Sequence, residues 1–266
     1  LAAVLITGCR SGFGFALARR LAAAGRAVVA TDPEIDGLEA RLRAGLPEGA
    51  PLTVLSLDVR DEASVNGAVA VAGPIDALVN NGGYAIFAAQ AEVDLDAIRE
   101  MFEVNVIGLA RVTRAFLPQI RAAGGTIVQL SSVASEVVFP ESGFYAATKW
   151  AVEAMSEALF QENARFGVKV RLIRPGSFDT CFIDTAQRLS PPRDPASPYA
   201  EERARWDDRK RSLLASPQQP ELVAAAIADA LDRPEPFLRI PVGEDSARLI
   251  DARREAGTEA WLNWAL

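Results

Sequence analysis

The sequence predicts an α/β fold: a doubly wound parallel sheet of about seven strands with helices on both faces, in three layers. Three observations predict it. Short apolar runs recur along the whole chain. Amphipathic helical stretches separate them, and that alternation marks strands buried on both faces and joined by helical crossovers. The first apolar run ends in a glycine-rich turn that opens into a helix, the arrangement by which open α/β sheets hold ligands at their carboxyl edge.

The first strand is Ala2–Thr7, an apolar run ending at glycine. Ser11–Ala24 follows as a helix, with Phe13, Leu17 and Leu21 on one stripe and Gly25 as its stop. Ala27–Thr31, Leu52–Ser56, Ala77–Asn80, Thr126–Ser131 and Lys169–Ile173 are the next strands, and Phe237–Pro241 is read as the last. Asp94–Ala122 and Gly143–Arg165 are the long helices. Residues 1–266 are expected to form one domain. The texture changes at Ser177–Pro220, which is rich in Pro, Arg, Asp and Ser and sparse in aliphatics. It follows a strand end, so it is expected to be an irregular substrate-binding loop or lid.

Composition excludes several functions. The net charge of −7 argues against nonspecific nucleic-acid binding. The chain has no histidine, which removes Ser-His and Cys-His mechanisms and most zinc sites. Any acid/base is therefore Tyr, Lys, Asp or Glu. The two cysteines, Cys9 and Cys181, offer no metal-ligand spacing and suit a reducing compartment, so a cytoplasmic protein without a metal is expected. No apolar run is long enough to cross a membrane. Residue 1 already abuts a strand, so a segment ahead of it stays open.

Thr7-Gly8-Cys9-Arg10-Ser11-Gly12-Phe13-Gly14 joins the first strand to the first helix. Glycines let backbone approach a pyrophosphate, and the helix N-terminus offers free N–H groups and partial positive charge. The spacing is G-x-x-x-G-x-G. Asp32 closes the second strand, 18 residues past Gly14. A carboxylate there accepts hydrogen bonds from ribose hydroxyls and repels a 2′-phosphate, which favours NAD over NADP. Arg10 argues the other way, since a guanidinium in the loop can pair with a phosphate.

Tyr145 and Lys149 lie four residues apart in the helix Gly143–Arg165, on one face. The chain has only three Tyr and three Lys, so this pairing is unlikely to arise by chance. An ammonium beside a phenol stabilises the phenolate and is expected to lower the tyrosine pKa toward neutral. A tyrosine so tuned can protonate a carbonyl oxygen or deprotonate an alcohol. Ser132, at a strand end 13 residues before Tyr145, can hold the substrate oxygen. Ser131 and Ser135 are neighbours that spacing alone does not discard.

Together these motifs resemble the short-chain dehydrogenase/reductase family, in its single-domain branch. The glycine loop resembles that family's cofactor loop. Asp58-Val59 resembles its adenine-contacting pair, and Asn80-Asn81-Gly82-Gly83 its N-N-A-G strand-end motif, with Gly82 in place of Ala. Asn105 in Val104-Asn105-Val106 resembles the asparagine of its catalytic tetrad, and Ser132, Tyr145 and Lys149 match the other three members. Pro175-Gly176, with Phe178 and Thr180 after it, resembles the segment that grips the nicotinamide carboxamide. The resemblance covers residues 2 to about 180 and is weakly similar to the hydroxysteroid and retinol dehydrogenase-like subgroup.

The resemblance implies a Rossmann-like fold and an oxidoreductase that moves a hydride between NAD(P) and a secondary alcohol/ketone pair. Ser132 would position the oxygen and Tyr145 transfer the proton. Lys149 would lower the tyrosine pKa and hold the nicotinamide ribose, and Asn105 would keep a water linking Lys149 to solvent. Gly82 is expected to make its turn more flexible with little consequence. Phe139, Phe144, Phe178, Phe182 and Trp206 are candidate pocket residues, implying an apolar or aromatic substrate. The family implies a homodimer or homotetramer built on the two long helices, with Ala146, Ala147, Ala151 and Ala154 allowing close approach. The competing reading is a catalytically silent NAD(P) sensor or scaffold on the same fold.

Overall fold

The structure, a computed structural model, describes residues 2–214 and 216–265. Seven parallel strands form one sheet in the order β3-β2-β1-β4-β5-β6-β7. They are β1 (Ala3–Thr7), β2 (Val28–Asp32), β3 (Leu52–Ser56), β4 (Ile75–Asn80), β5 (Thr126–Leu130), β6 (Lys169–Pro175) and β7 (Phe237–Val242). Every expected strand is present, with ends displaced by at most two residues. The helices are α1 (Gly12–Ala23), α2 (Leu38–Arg43), α3 (Glu62–Val71), α4 (Leu95–Phe102), α5 (Leu109–Ala123), α6 (Gly143–Asn163), α7 (Cys181–Leu189), α8 (Ala200–Leu213), α9 (Glu221–Asp232), α10 (Glu244–Ala256) and α11 (Thr258–Ala265).

Strand alternation divides the core in two. Val4 and Ile6 of β1 face one side, with Leu17 and Leu21 of α1 and Ile227 of α9. Leu5 of the same strand faces the other side, with Val65 of α3 and Val112, Phe116 and Ile120 of α5. Phe116 is fully buried, and truncating it to Ala is worth about 3–5 kcal/mol. The chain winds β1-β2-β3 in one direction, then returns to place β4 on the other side of β1. That reversal opens a crevice at the carboxyl ends of β1 and β4.

Two expectations are corrected. Asp94–Ala122 is not one helix: a π-helical turn at Glu103–Gly108 separates α4 from α5. There the Asn105 side chain bonds the Tyr84 backbone, and a Cβ on Gly108 would lie 2.7 Å from Val59 Cγ2. Close packing and a side-chain hydrogen bond favour the widened turn over a regular helix. Ser177–Pro220 is not irregular throughout, because it carries α7 and α8. In α8, Arg205 pairs with Glu201 and Glu202 one turn away, so ion pairs rather than an aliphatic stripe mark the helix.

Candidate active site

The loops after β1 and β4 are sewn together. Asn81 Nδ2 donates to Thr7 O and Gly8 O at 2.9 and 3.0 Å. Thr7 Oγ1 accepts from the N–H groups of Asn81 and Gly82, both at 3.1 Å. Gly8 has φ +72°, and a Cβ on Gly14 would lie 2.4 Å from Gly8 O. Only glycine fits either position. The Ser11 side chain makes no cap bond and the first turn of α1 carries no acidic residue, so the helix end is open to an anion.

This loop borders a cleft of about 360 Å³. Gly8, Arg10, Ser11, Gly12, Phe13, Asp32, Asp58, Val59, Asn81, Gly82, Gly83, Tyr145, Lys149 and Thr180 all line it. Gly14 is not among the lining residues because it packs against Gly8 and Asn81 beneath the loop. Pro175, Gly176 and Phe178 border a second cavity next to it. Asp32 accepts from the N–H groups of Arg10 and Glu34 at 3.1 and 3.2 Å. Burial pushes its carboxyl above the ordinary range. Arg10 is turned to Glu34, 2.8 Å away. The Arg60 guanidinium bonds Asp58 and holds its carboxyl below the ordinary range. The Gly-rich helix entrance and the cleft beside it fit a nicotinamide dinucleotide.

Tyr145 and Lys149 lie on one face of α6, both buried. The Ser132 side chain acts on the phenol and favours its ionised form. Ser131 and Ser135 are engaged elsewhere: Ser131 Oγ donates to Glu153 Oε1 at 2.7 Å and Ser135 Oγ to Ser132 O at 2.7 Å. Lys149 Nζ donates to Leu130 O at 2.7 Å and lies 5.8 Å from the centre of the Tyr145 ring.

The expected acidification of Tyr145 is not found. Burial pushes the phenol up to about 12, partly offset by the Ser132 hydrogen bond. Lys149 is tied to a backbone carbonyl, and its own burial brings it down to about 8 despite the nearby Glu153 charge. Protein groups engage the Asn105 amide. Its Oδ1 accepts from Tyr84 N at 3.0 Å, and its Nδ2 donates to Tyr84 O and Thr148 Oγ1 at 2.8 and 3.2 Å. The missing side chain of Gly83 leaves space between Asn105 and Lys149: a Cβ there would lie 3.0 Å from Asn105 Oδ1 and 3.9 Å from Lys149 Nζ.

The second cavity, about 930 Å³, opens on the other side of Tyr145. Ser132, Phe139, Tyr145, Phe178, Phe182 and Trp206 line it. Phe139 stacks on Trp206 at 5.0 Å, and Phe182 meets Tyr145 at 5.6 Å. Phe144 does not line it, but packs with Ala85 and Met101 beneath. Phe87, which the sequence did not single out, takes that place with its ring 6.1 Å from Tyr145.

A family model for short chain dehydrogenases matches residues 2–189. The chain belongs to that family. It is a nicotinamide-dependent oxidoreductase of the alcohol/ketone type. The chain is 36% identical to estradiol 17-beta-dehydrogenase 1 of Rattus norvegicus over 251 residues, covering 89% of this chain and 72% of that one. Among solved structures, a short-chain dehydrogenase from Streptomyces avermitilis is 34% identical with TM-score 0.82, covering 99% and 97% of the two chains. One from Burkholderia phymatum in complex with NAD is 28% identical with TM-score 0.78, covering 96% and 93%. An alcohol dehydrogenase from Thermococcus sibiricus complexed with 5-hydroxy-NADP is 27% identical with TM-score 0.72, covering 90% and 95%.

Around this short-chain dehydrogenase site stand three groups the sequence reading missed. Glu153, one turn beyond Lys149, accepts from Ser131, from both Nε and Nη2 of Arg174, and from Arg239 Nε at 2.9 Å. Burial alone would raise its carboxyl, but bonds from Arg174 and Ser131 hold it below the ordinary range. The spacing of four from Lys149 was a visible signal; the arginine partners were not. Asp245, fully buried at the start of α10, accepts from Ser177 N at 3.0 Å and braces the segment after β6. Glu141, before α6, accepts from Arg203 of α8 at 2.5 Å and from Arg193 at 2.9 Å.

Proposed function

We propose that this dehydrogenase uses Tyr145 as the acid/base for an apolar or aromatic secondary alcohol or ketone, with NAD as the favoured cofactor. One observation carries the reading: Tyr145 borders both cavities, and Ser132 lines the larger one with it. A proton donor at that junction can reach an oxygen in the large cavity while a ring lies in the cleft. A nicotinamide ring bound there would supply or receive the hydride.

Within this reading Ser132 holds the substrate oxygen and Tyr145 gives or takes its proton. Lys149 sits at the cleft wall as the cation nearest the phenol and would hold the ribose. Asn105 holds the loop after β4 against α6 and so positions Lys149. Gly8, Ser11, Gly12 and Phe13 would receive the pyrophosphate, and Asp58 and Val59 the adenine. Asn81, Gly82 and Gly83 form the wall opposite, while Pro175, Gly176, Phe178 and Thr180 would face the carboxamide. Asp32 supports NAD: its carboxylate lines the cleft, and the one guanidinium of the glycine loop is already paired with Glu34.

The segment 177–220 acts as a lid over the large cavity of a single 266-residue domain. The enzyme works as a homodimer or homotetramer. Exposed Ala147, Trp150 and Ala154 along α6 and exposed Ile107 support that assembly. Ala146 does not contribute to that surface, because it is buried behind Tyr145. Both cysteines are unpaired, which suits the cytoplasm. Among the described residues no helix is long and apolar enough to cross a membrane.

The test is a panel of secondary alcohols and ketones, followed by absorbance of the reduced cofactor, with NAD and NADP in parallel. Turnover faster with NAD, and a preference eroded about tenfold by Asp32→Ala, is the expected result. Tight NAD binding with no turnover across the panel would favour the silent sensor instead. Faster turnover with NADP would overturn the cofactor assignment.

A further inference from the structure

Five charged side chains line the large cavity: Glu141, Arg188, Arg193, Asp207 and Lys210. Both carboxylates are already engaged. Glu141 pairs with Arg193 and Arg203, and Asp207 pairs with Arg193 at 2.6 Å. Among the described residues, neither Arg188 nor Lys210 pairs with an acidic side chain. In a chain of net charge −7, this cavity therefore carries a positive surplus.

Lys210 is the better placed of the two. It is partly buried, whereas Arg188 is exposed at the end of α7. Its ammonium lies 5.6 Å from the centre of the Phe87 ring, and that ring meets Tyr145 edge-on at 6.1 Å. The aromatic face fixes the ammonium in position without neutralising it. The rest of the wall near Tyr145 is aromatic, from Phe139, Phe182 and Trp206. A cation held on an apolar wall gains from a charge-assisted bond to an anion that displaces its water.

Building on the reading of Tyr145 as acid/base, we propose that the substrate carries a carboxylate, bound by Lys210 with support from Arg188. The substrate class is a hydroxy or oxo acid with an apolar body. Its carbinol or carbonyl meets Ser132 and Tyr145, its body lies on Phe87, Phe139 and Trp206, and its carboxylate sits at Lys210.

The experiment uses secondary hydroxy fatty acids of graded chain length, each paired with its methyl ester, assayed with NAD and NADP. For the best chain length, kcat/KM of the acid exceeds that of the ester about tenfold or more. Lys210→Met collapses that ratio by lowering the acid's value, Lys210→Arg preserves it, and Lys210→Met combined with Arg188→Gln lowers it further. Turnover of esters and neutral ketones with no preference for acids overturns this inference and leaves the alcohol/ketone reading standing. So does a ratio indifferent to Lys210→Met. If no pair is turned over, the alcohol reading fails for these compounds, and calorimetric titration of the same pairs decides the anion site. Tighter binding of the acid, lost in Lys210→Met, supports it, and equal binding of acid and ester overturns it.

Discussion

Asp245 fills the space that any side chain at Gly176 would need: a Cβ there would lie 1.9 Å from Asp245 Oδ1. The same carboxylate bonds Ser177 N, so the chain leaving β6 is held by a residue 68 positions later. Gly176→Ala is expected to destabilise the protein by about 1–3 kcal/mol through overpacking and to raise KM for the cofactor. Gly82→Ala is the control, because its Cβ would meet Thr7 Oγ1 at 3.5 Å, an ordinary contact. It is expected to stay within about 0.5 kcal/mol of wild type. Urea denaturation and cofactor titration of both variants check the contrast.

Tyr145→Phe keeps the ring that contacts Phe87 and Phe182 and removes only the hydroxyl. Removing a positioned acid/base is expected to lower kcat by about 10²–10⁴. Cofactor affinity, measured by equilibrium titration, stays near wild type. A large loss of cofactor binding with little change in kcat would assign Tyr145 to binding alone.

Lys149 gives a stability signature. Burial brings its pKa from 10.5 down to about 8. Between those values the unfolded chain holds a proton that the folded one has released. Stability from this group therefore rises with pH from about 8 to about 10.5, by at most about 3 kcal/mol. Lys149→Met removes that rise. Urea midpoints of both proteins at several pH values across the window should diverge in slope, and parallel slopes would contradict the assignment.

Arg203, with its side chain 8% exposed, ties α8 to Glu141 and Glu92. Glu141 is held with φ +63°, the only non-glycine residue in that region among the described residues. Arg203→Met leaves a mostly buried carboxylate short of one partner, and breaking such a pair costs about 3–5 kcal/mol, less here because Arg193 remains. The expected outcome is local: proteolytic cutting within 193–214 accelerates and KM for substrate rises. Fragment masses after brief protease treatment locate the cut. Unchanged cutting there would mean that α8 is held by packing instead.

Spacing alone carried much of the fold and part of the site. Val4, Leu5 and Ile6 form an unbroken apolar run buried alternately on the two faces of the sheet, a local property of a central strand, so β1 was legible to within a residue. Tyr145 and Lys149 share a face because four residues make about one helical turn. The same geometry explains the error at Phe144, which sits about 100° around the helix from Tyr145 and packs against the cluster that includes Tyr145 without lining the cavity. The helix α8 was hidden because its sequence is charged nearly all round, which leaves periodicity nothing to detect.

The sequence by itself determined the succession of strands, the first helix and the helix of Tyr145, the glycine loop, the carboxylate at the end of β2 and the Tyr-Lys pair, all properties of neighbours along the chain. Tertiary structure alone decided which serine meets the phenol, that Lys149 is tied to Leu130, and that Arg174, Arg239 and Asp245 brace the site. Those contacts join residues far apart in sequence, and burial at their meeting points sets charge and pKa. No local pattern encodes either, because both depend on which strand ends the sheet places side by side.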